Sequence, residues 1–307
     1  MKQYFFLTGL PKTGSTWIMN MLNSVEGISC MGEGLFFASG LKNTPSLYDS
    51  LYSSIYNWGD YVSERKNNWL ETLVDIQTIE MRNYVSEDNK ERVITTLTEH
   101  AVREIVNKCF SLRKKESSTI GDKTTSLSVD VFSRIQRTFP ESKIIFLHRN
   151  LYDFMASYTM HFYRSTKNSR ADAATTIFTI NDFLKIDSYQ QDRDGDIITS
   201  ETIKKLVHDW KYMDMEFERY KSDKTTVLTV RYEDIKSDPA KYFTKIAQFV
   251  HTDFNNEQAK RIVDKWAFDS KMMSTGPLKK HVNSRTIGYG KKLFSTNLQN
   301  IVQEELC

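Results

Sequence analysis

The segment at residues 9–17, Gly-Leu-Pro-Lys-Thr-Gly-Ser-Thr-Trp, has the residue types and spacing of an anion-binding loop. Its two glycines are spaced as in the phosphate-binding pattern G-x-x-x-x-G-K-[ST], and Thr16 fills the last place. Ser15 stands where that pattern has lysine, and Lys12 lies instead in the middle of the loop. Glycines let backbone N–H groups turn inward, and a helix that follows adds partial positive charge. The segment therefore predicts a phosphate-like anion site.

The displaced lysine argues against the chemistry of a nucleotide kinase. A kinase of this type also needs an acidic magnesium ligand at the end of another strand. The predicted strand 143–147 is followed by His148 and Arg149, and the first acid after the predicted strand 225–230 is Glu233. A P-loop nucleotide kinase is thus disfavoured, but it is kept as an alternative.

The elements that must position this loop follow an alternating pattern of short apolar strands and helices. Strands are predicted at 3–9, 118–126, 143–147 and 225–230. Helices are predicted at 15–22, 91–110, 151–163, 201–220, 239–250, 256–267 and 295–306, with a further helix ending near residue 140. We expect an α/β, P-loop-like fold of three layers, with a mostly parallel central sheet flanked by helices. The loops after the strands then share one edge of the sheet, where ligands bind.

Length and composition limit the class of protein. The chain of 307 residues is predicted to form a single domain over residues 1–307, with a helical, acceptor-covering segment at about 36–112. Lys and Arg number 42 against 39 Asp and Glu, which predicts no nucleic-acid partner. No apolar run reaches membrane-spanning length. The three cysteines have no metal-binding spacing and indicate a reducing, cytoplasmic location.

Two segments together resemble the PAPS-dependent sulfotransferases, where PAPS is 3′-phosphoadenosine 5′-phosphosulfate. Residues 11–17 resemble the 5′-phosphosulfate-binding loop of that family, P-K-[ST]-G-[ST]-T-W. Residues 144–158 are similar to its 3′-phosphate-binding segment, a strand followed by an arginine and, eight residues later, a serine. Those residues are Arg149 and Ser157 here.

Two weaker matches support the resemblance. Residues 285–294 look like the C-terminal loop that closes over the 3′-phosphate, although Gly290 stands where an aromatic residue is often found. Residues 121–126, Gly-Asp-Lys-Thr-Thr-Ser, resemble the D-K-[ST] segment of glycan and tyrosine sulfotransferases. In motif style the chain looks closest to the glycan-type, tyrosine-type and bacterial enzymes.

The resemblance implies PAPS as co-substrate, PAP (3′-phosphoadenosine 5′-phosphate) as product and no required metal. It implies a set of residues that bind PAPS: Lys12, Thr13, Gly14, Ser15, Thr16, Trp17, Arg149, Ser157, Arg285 and Lys291. Lys12 would stabilise the charge that develops on the bridging oxygen, and Lys123 would neutralise the transferring sulfuryl group. Trp17 would stack on adenine, although its helical spacing also fits a core aromatic.

The resemblance identifies the residue that removes the acceptor's proton less directly than it identifies the residues that bind PAPS. Lys123 is followed by two threonines and not by the histidine of small-molecule sulfotransferases. Glu33 resembles the glutamate that tyrosine sulfotransferases place after the first helix, and it is our candidate for the general base. His148, beside Arg149, is the competing candidate.

These observations predict a sulfotransferase that sulfates a hydroxyl group on a small-molecule or glycan acceptor. A glycan-like acceptor is preferred, because of Glu33 and the D-K-T segment. A hydrophobic alcohol, steroid or phenol is the second choice of acceptor. Besides the nucleotide kinase, an inactive PAP-binding module is the alternative from another class.

Overall fold

The computed structural model describes residues 3–39, 44–64, 87–112, 117–168, 200–221, 225–251, 254–267, 287–288, 290–291, 294 and 296–307. The chain divides into two compact units. The first comprises Met1–Gly32, Ser117–Val129 and Lys143–Cys307, and the second comprises Glu33–Glu116 and Asp130–Ser142. That residues 1–307 form a single domain stays a prediction.

A parallel sheet of five strands lies in the first unit. Its strands are β1 (Gln3–Gly9), β2 (Ile28–Gly32), β3 (Thr119–Thr125), β4 (Lys143–His148) and β5 (Val227–Arg231). Their spatial order is β2-β3-β1-β4-β5, and each pairing is parallel. The central strand β1 pairs through Leu7 with Lys123 on one side and Ile145 on the other. The carboxyl ends of all five strands therefore meet at one edge.

The structure describes ten helices, and those of the first unit supply the helices on both faces of this sheet. In chain order the described helices are α1 (Ser15–Leu22), α2 (Leu47–Glu64), α3 (Glu87–Ser111), α4 (Asp130–Thr138), α5 (Leu151–Asn168), α6 (Ser200–Tyr220), α7 (Tyr232–Ser237), α8 (Pro239–Val250), α9 (Asn256–Lys265) and α10 (Thr296–Leu306). On one face Leu7 shares a buried cluster with Trp17 of α1 and Phe243 of α8. On the other face Phe146 of β4 meets Phe217 of α6, with ring centroids 5.7 Å apart. The predicted three-layer α/β fold is confirmed.

The second unit contains α2, α3 and α4. Phe37 packs edge-on against Phe139 with ring centroids 6.3 Å apart, and Arg134 pairs with Asp49 at 2.8 Å. The predicted helix 91–110 is found as α3, and together with α2 it lies in the segment 36–112. That this segment covers an acceptor stays a prediction.

The remaining predicted elements are found close to their expected positions. The four predicted strands correspond to β1, β3, β4 and β5, and the predicted helices correspond to α1, α3, α4, α5, α6, α8, α9 and α10. The short elements β2 and α7, of five and six residues, were not predicted, and α2 was expected only as part of the helical segment 36–112. Among the described residues, no helix combines the length and the apolar character needed to cross a membrane.

Candidate active site

The loop between β1 and α1 bends sharply against two neighbouring elements. Gly9 has a φ of 128°, and a Cβ there would lie 2.0 Å from the carbonyl oxygen of Leu147. Gly14 caps α1 in the left-handed region with a φ of 85°, and a Cβ there would lie 2.7 Å from the Tyr232 ring. Neither position can hold a side chain without moving β4 or α7, so both glycines are required by the fold.

Lys12 lies between these glycines and also has a positive φ, 66°. This left-handed conformation is uncommon for a residue with a side chain. The Thr13 hydroxyl, which is fully buried, donates to the Leu10 carbonyl at 2.8 Å and closes the loop on itself. Ser15 is buried at the first position of α1. The loop therefore presents Lys12 on a backbone that is fixed on both sides.

Lys123 is brought to this loop by β3. Its Nζ donates to the hydroxyl of Thr16 at 3.4 Å, and only 7% of the residue is exposed. Burying an ammonium group is costly unless it meets polar or anionic partners. The preceding residue, Asp122, is fully buried and accepts a hydrogen bond from Thr124. Because successive strand residues face opposite sides of a sheet, Lys123 and Asp122 lie on opposite faces.

Arg149 connects the end of β4 to the same loop. Its Nη1 donates to the carbonyl oxygen of Lys12 at 2.8 Å, and its guanidinium lies over the Tyr232 ring at 4.3 Å. Its own carbonyl accepts a 2.8 Å hydrogen bond from the Trp210 indole. Its Nε is buried and has no hydrogen-bond partner among the described residues. Arg149 thus lies beside Lys12 with a donor still available.

A second cation, Lys236, accompanies Arg149. It is half-buried on α7, one helical turn after Tyr232. Burial and then the positive charge of Arg149 lower the pKa of the Lys236 ammonium group, while Asp153 acts in the opposite direction. Holding the positive charges of Arg149 and Lys236 near each other costs free energy, and an anion bound between the two side chains would offset that cost.

The start of α5 links Arg149 to the C-terminal part of the chain. The buried carboxylate of Asp153 accepts hydrogen bonds from the backbone N–H groups of Gly288 at 2.8 Å and Gly290 at 2.6 Å. Lys291 follows directly, with its Nζ 5.7 Å from the centroid of the Tyr152 ring. The other predicted residue of this segment, Arg285, lies outside the described residues.

Trp17 and Ser157 have different surroundings from the cations. The Trp17 indole is 6% exposed, packs in the core cluster and donates to the carbonyl oxygen of Trp266 at 2.9 Å. Ser157 is half-buried on α5. Trp17 thus packs as a core aromatic residue. Adenine stacking by Trp17 and phosphate binding by Ser157 stay predictions.

The two candidate bases also differ in environment. Glu33 is exposed, has a φ of 51° and follows Gly32, the residue of β2 that pairs with Lys123. His148 is fully buried, with its ring centroid 5.2 Å from that of Trp210 and 5.0 Å from that of Phe217. Burial and then the charge of Arg231 lower the pKa of His148 from 6.5 to about 3. The buried ring offers no surface to an acceptor, whereas the carboxylate of Glu33 is accessible.

A model of the sulfotransferase family matches residues 5–256. This chain belongs to the sulfotransferase family. The comparison with curated protein sequences finds no significant match.

One solved sulfotransferase structure shares the fold, and two further solved structures are less similar. Mouse sulfotransferase SULT7A1 complexed with PAP is 15% identical, with 99% of this chain and 83% of that chain covered and a TM-score of 0.50. Sulfotransferase STF9 from Mycobacterium avium is 12% identical, with 99% and 76% covered and a TM-score of 0.48. Retinol dehydratase in complex with androsterone and inactive cofactor PAP is 11% identical, with 99% and 79% covered and a TM-score of 0.44.

Sequence reasoning missed three residues that shape this site. Tyr232, Lys236 and Asp153 contact, or electrostatically influence, Arg149 or the residue that follows it. Glu233, considered from the sequence only as a metal ligand, accepts a hydrogen bond from Asn150 instead. The available signal was the polar segment Arg-Tyr-Glu-Asp-Ile-Lys directly after the strand 225–230, because such residues lie at the ligand edge of a parallel sheet.

Proposed function

We propose that this protein transfers a sulfuryl group from PAPS to the hydroxyl group of an acceptor and releases PAP. The observation that carries the proposal is the 2.8 Å hydrogen bond from Arg149 Nη1 to the Lys12 carbonyl. It joins the loop assigned to the 5′-phosphosulfate with the residue assigned to the 3′-phosphate. Membership of the sulfotransferase family and the PAP bound in the mouse structure support the same assignment.

The residues present suit a ligand with anionic groups at two ends. Lys12, Lys123 and the N-terminus of α1 would hold the 5′ end. Arg149, which has a buried Nε without a hydrogen-bond partner in the described chain, would hold the 3′-phosphate together with Lys236. A guanidinium forms forked hydrogen bonds to phosphate, which suits Arg149 to that role.

The transfer breaks the S–O bond to the leaving phosphate and forms an S–O bond to the acceptor oxygen. Lys12 would stabilise the electron pair that stays on the leaving oxygen, and Lys123 would balance the charge on the sulfuryl oxygens. The hydroxyl proton would pass to the Glu33 carboxylate. Because a sulfuryl group carries less charge than a phosphoryl group, these cations replace the metal that a kinase needs.

For the acceptor we propose a glycan-like hydroxyl. A sugar hydroxyl is weakly acidic and needs a base, for which Glu33 is accessible. A hydrophobic alcohol, steroid or phenol is the alternative acceptor. A nucleotide kinase is less favoured, because Glu233 is committed to the start of α5, where its Oε1 accepts from the Asn150 side chain at 2.6 Å.

The test begins with PAP binding in the presence of EDTA. At a hundredfold excess over Kd, binding stabilises the folded state by about 2.7 kcal/mol, which a thermal shift detects. PAP release is then measured with PAPS over a panel of glycans, phenols and steroids, and the product is identified by mass spectrometry. Stabilisation by ATP with magnesium, without stabilisation by PAP, would refute the proposal. PAP binding without turnover on any acceptor would favour the inactive binding module.

A further inference from the structure

The carboxylate of Asp153, in the first turn of α5, accepts hydrogen bonds from a distant part of the chain. It is 4% exposed and carries three hydrogen bonds, which come from Asn150 Nδ2 at 2.8 Å and from the backbone N–H groups of Gly288 and Gly290 at 2.8 and 2.6 Å. Gly288 and Gly290 are 135 and 137 residues away in sequence. One side chain on α5 therefore fixes two backbone groups of a distant turn.

The neighbouring carboxylate of Glu233 accepts a hydrogen bond that Asp153 would accept in an ordinary capping box. Asn150 is the N-terminal cap of α5, since its Oδ1 accepts from the Asp153 N–H at 2.9 Å. In an ordinary capping box the acid at this position would accept the N–H of the cap residue in return. Here Glu233 accepts the Asn150 N–H at 3.1 Å. Both oxygens of Asp153 are thereby directed to the glycine turn.

Gly290 is fitted to the same contact. A Cβ on Gly290 would lie 2.3 Å from the carbonyl oxygen of Tyr152 and 2.6 Å from the Asp153 nitrogen. The turn can therefore approach the start of α5 only because residue 290 has no side chain. Lys291 follows Gly290 and reaches the Tyr152 ring. The turn thus adds a cation to the helix that begins two residues after Arg149.

We propose that Asp153 is a positioning residue that holds the glycine turn at the start of α5, so that the turn completes the phosphate site of Arg149. This inference rests on the proposed function, in which Arg149 binds the 3′-phosphate. Asp153 does not touch the ligand in this proposal. Its negative charge is balanced by the three N–H donors, so a phosphate is tolerated nearby.

The test uses Asp153→Asn and Gly290→Ala in the full chain. Asparagine retains only one acceptor oxygen, so one N–H of the turn loses its partner. The alanine methyl group pushes the turn from Tyr152 while the carboxylate stays intact. Asp238→Asn is the matched control, because Asp238 caps α8 by accepting the Lys241 N–H at 3.1 Å, and asparagine caps equally well.

Two measurements separate this inference from the proposed function. Amide hydrogen exchange of the peptide that contains Gly288 and Gly290, without ligand, should accelerate in both test variants and not in the control. The Kd of PAP should rise by about tenfold or more in both variants, while the Kd of adenosine 5′-phosphate, which lacks the 3′-phosphate, should change by less than about threefold.

The direction in which Asp153→Asn changes the Kd of PAP distinguishes positioning from a simple charge effect. If Asp153 acted only through its charge, Asp153→Asn would bind PAP more tightly, because a negative charge is removed near an anion. Tighter or unchanged PAP binding by Asp153→Asn would overturn the inference, and so would equal losses for PAP and adenosine 5′-phosphate. A wild-type protein that does not bind PAP would instead refute the proposed function, while the exchange measurement would still test whether Asp153 holds the glycine turn.

Discussion

Replacing His148 by leucine should remove a pH dependence from the stability of the folded protein. The ring is fully buried between aromatic side chains, and neither ring nitrogen has a hydrogen-bond partner among the described residues. The charged groups that face it are Asp214 and Glu218 of α6 and Arg231 of β5, with His148 Nε2 3.4 Å from Asp214 Oδ1. Burial outweighs these charges, so the folded protein keeps His148 neutral.

The magnitude follows from the pKa of about 3 in the folded protein and 6.5 for the ordinary side chain. At pH values below 6.5 the unfolded chain binds a proton that the folded chain does not, so stability is lost as the pH falls towards 3. Between pH 7.5 and pH 5.0 the loss from this one group is about 2 kcal/mol. Leucine, which is apolar and of similar size, abolishes that contribution.

The assay is urea unfolding at pH 7.5 and pH 5.0, followed by tryptophan fluorescence. The wild type should lose about 2 kcal/mol more than His148→Leu between the two pH values. His208→Leu serves as the control, because that side chain is 63% exposed, and it should retain the wild-type difference. An identical loss in the wild type and His148→Leu would refute the packing of β4 on α6 and reopen His148 as a candidate base.

Three further predictions concern the proposed reaction. Arg149→Ala should raise the Kd of PAP by at least about tenfold and affect adenosine 5′-phosphate less in calorimetry, since a charged hydrogen bond to the 3′-phosphate is lost; equal losses would remove Arg149 from that role. Lys12→Ala should lower kcat by about 10²–10³ in a PAP-release assay, while exposed Lys241→Ala should not; an active Lys12→Ala enzyme would make the loop purely structural. Glu33→Gln should bind PAP normally and turn over at least about a hundredfold more slowly; near-normal kcat would exclude Glu33 as the base.

The strands of the sheet could be predicted because buried parallel strands are continuous apolar runs. Residues 143–147 show this most clearly, and β4 extends them by one residue to His148. β2 (Ile28–Gly32) was not predicted, because its five residues include a serine and a cysteine and cannot be distinguished from an apolar loop by their pattern. Tertiary pairing with β3, and not local propensity, makes this segment a strand.

The candidate site was predictable where a motif is contiguous in sequence. The loop at 9–17 and the Arg149 segment were therefore found. Periodicity says nothing about which distant residues meet, so the hydrogen bond from Arg149 to Lys12, across 137 residues, could not be predicted. The role of Asp153 was hidden for the same reason, since its partners are two backbone N–H groups with no side-chain signature.

The strand order has a consequence for how the chain is made. Both partners of the central strand β1 come late, since β3 begins at Thr119 and β4 ends at His148, while β2 pairs with β3 and not with β1. At about 5–20 residues per second, a ribosome needs roughly 7–28 s to proceed from the end of β1 to the end of β4. Until β3 is complete at Thr125, the apolar residues Phe5, Phe6 and Leu7 belong to a strand without a partner, and the second partner, β4, is complete only at His148. The loop between β1 and α1, which packs against Leu147 and Tyr232, should therefore be among the last parts of the sheet edge to form.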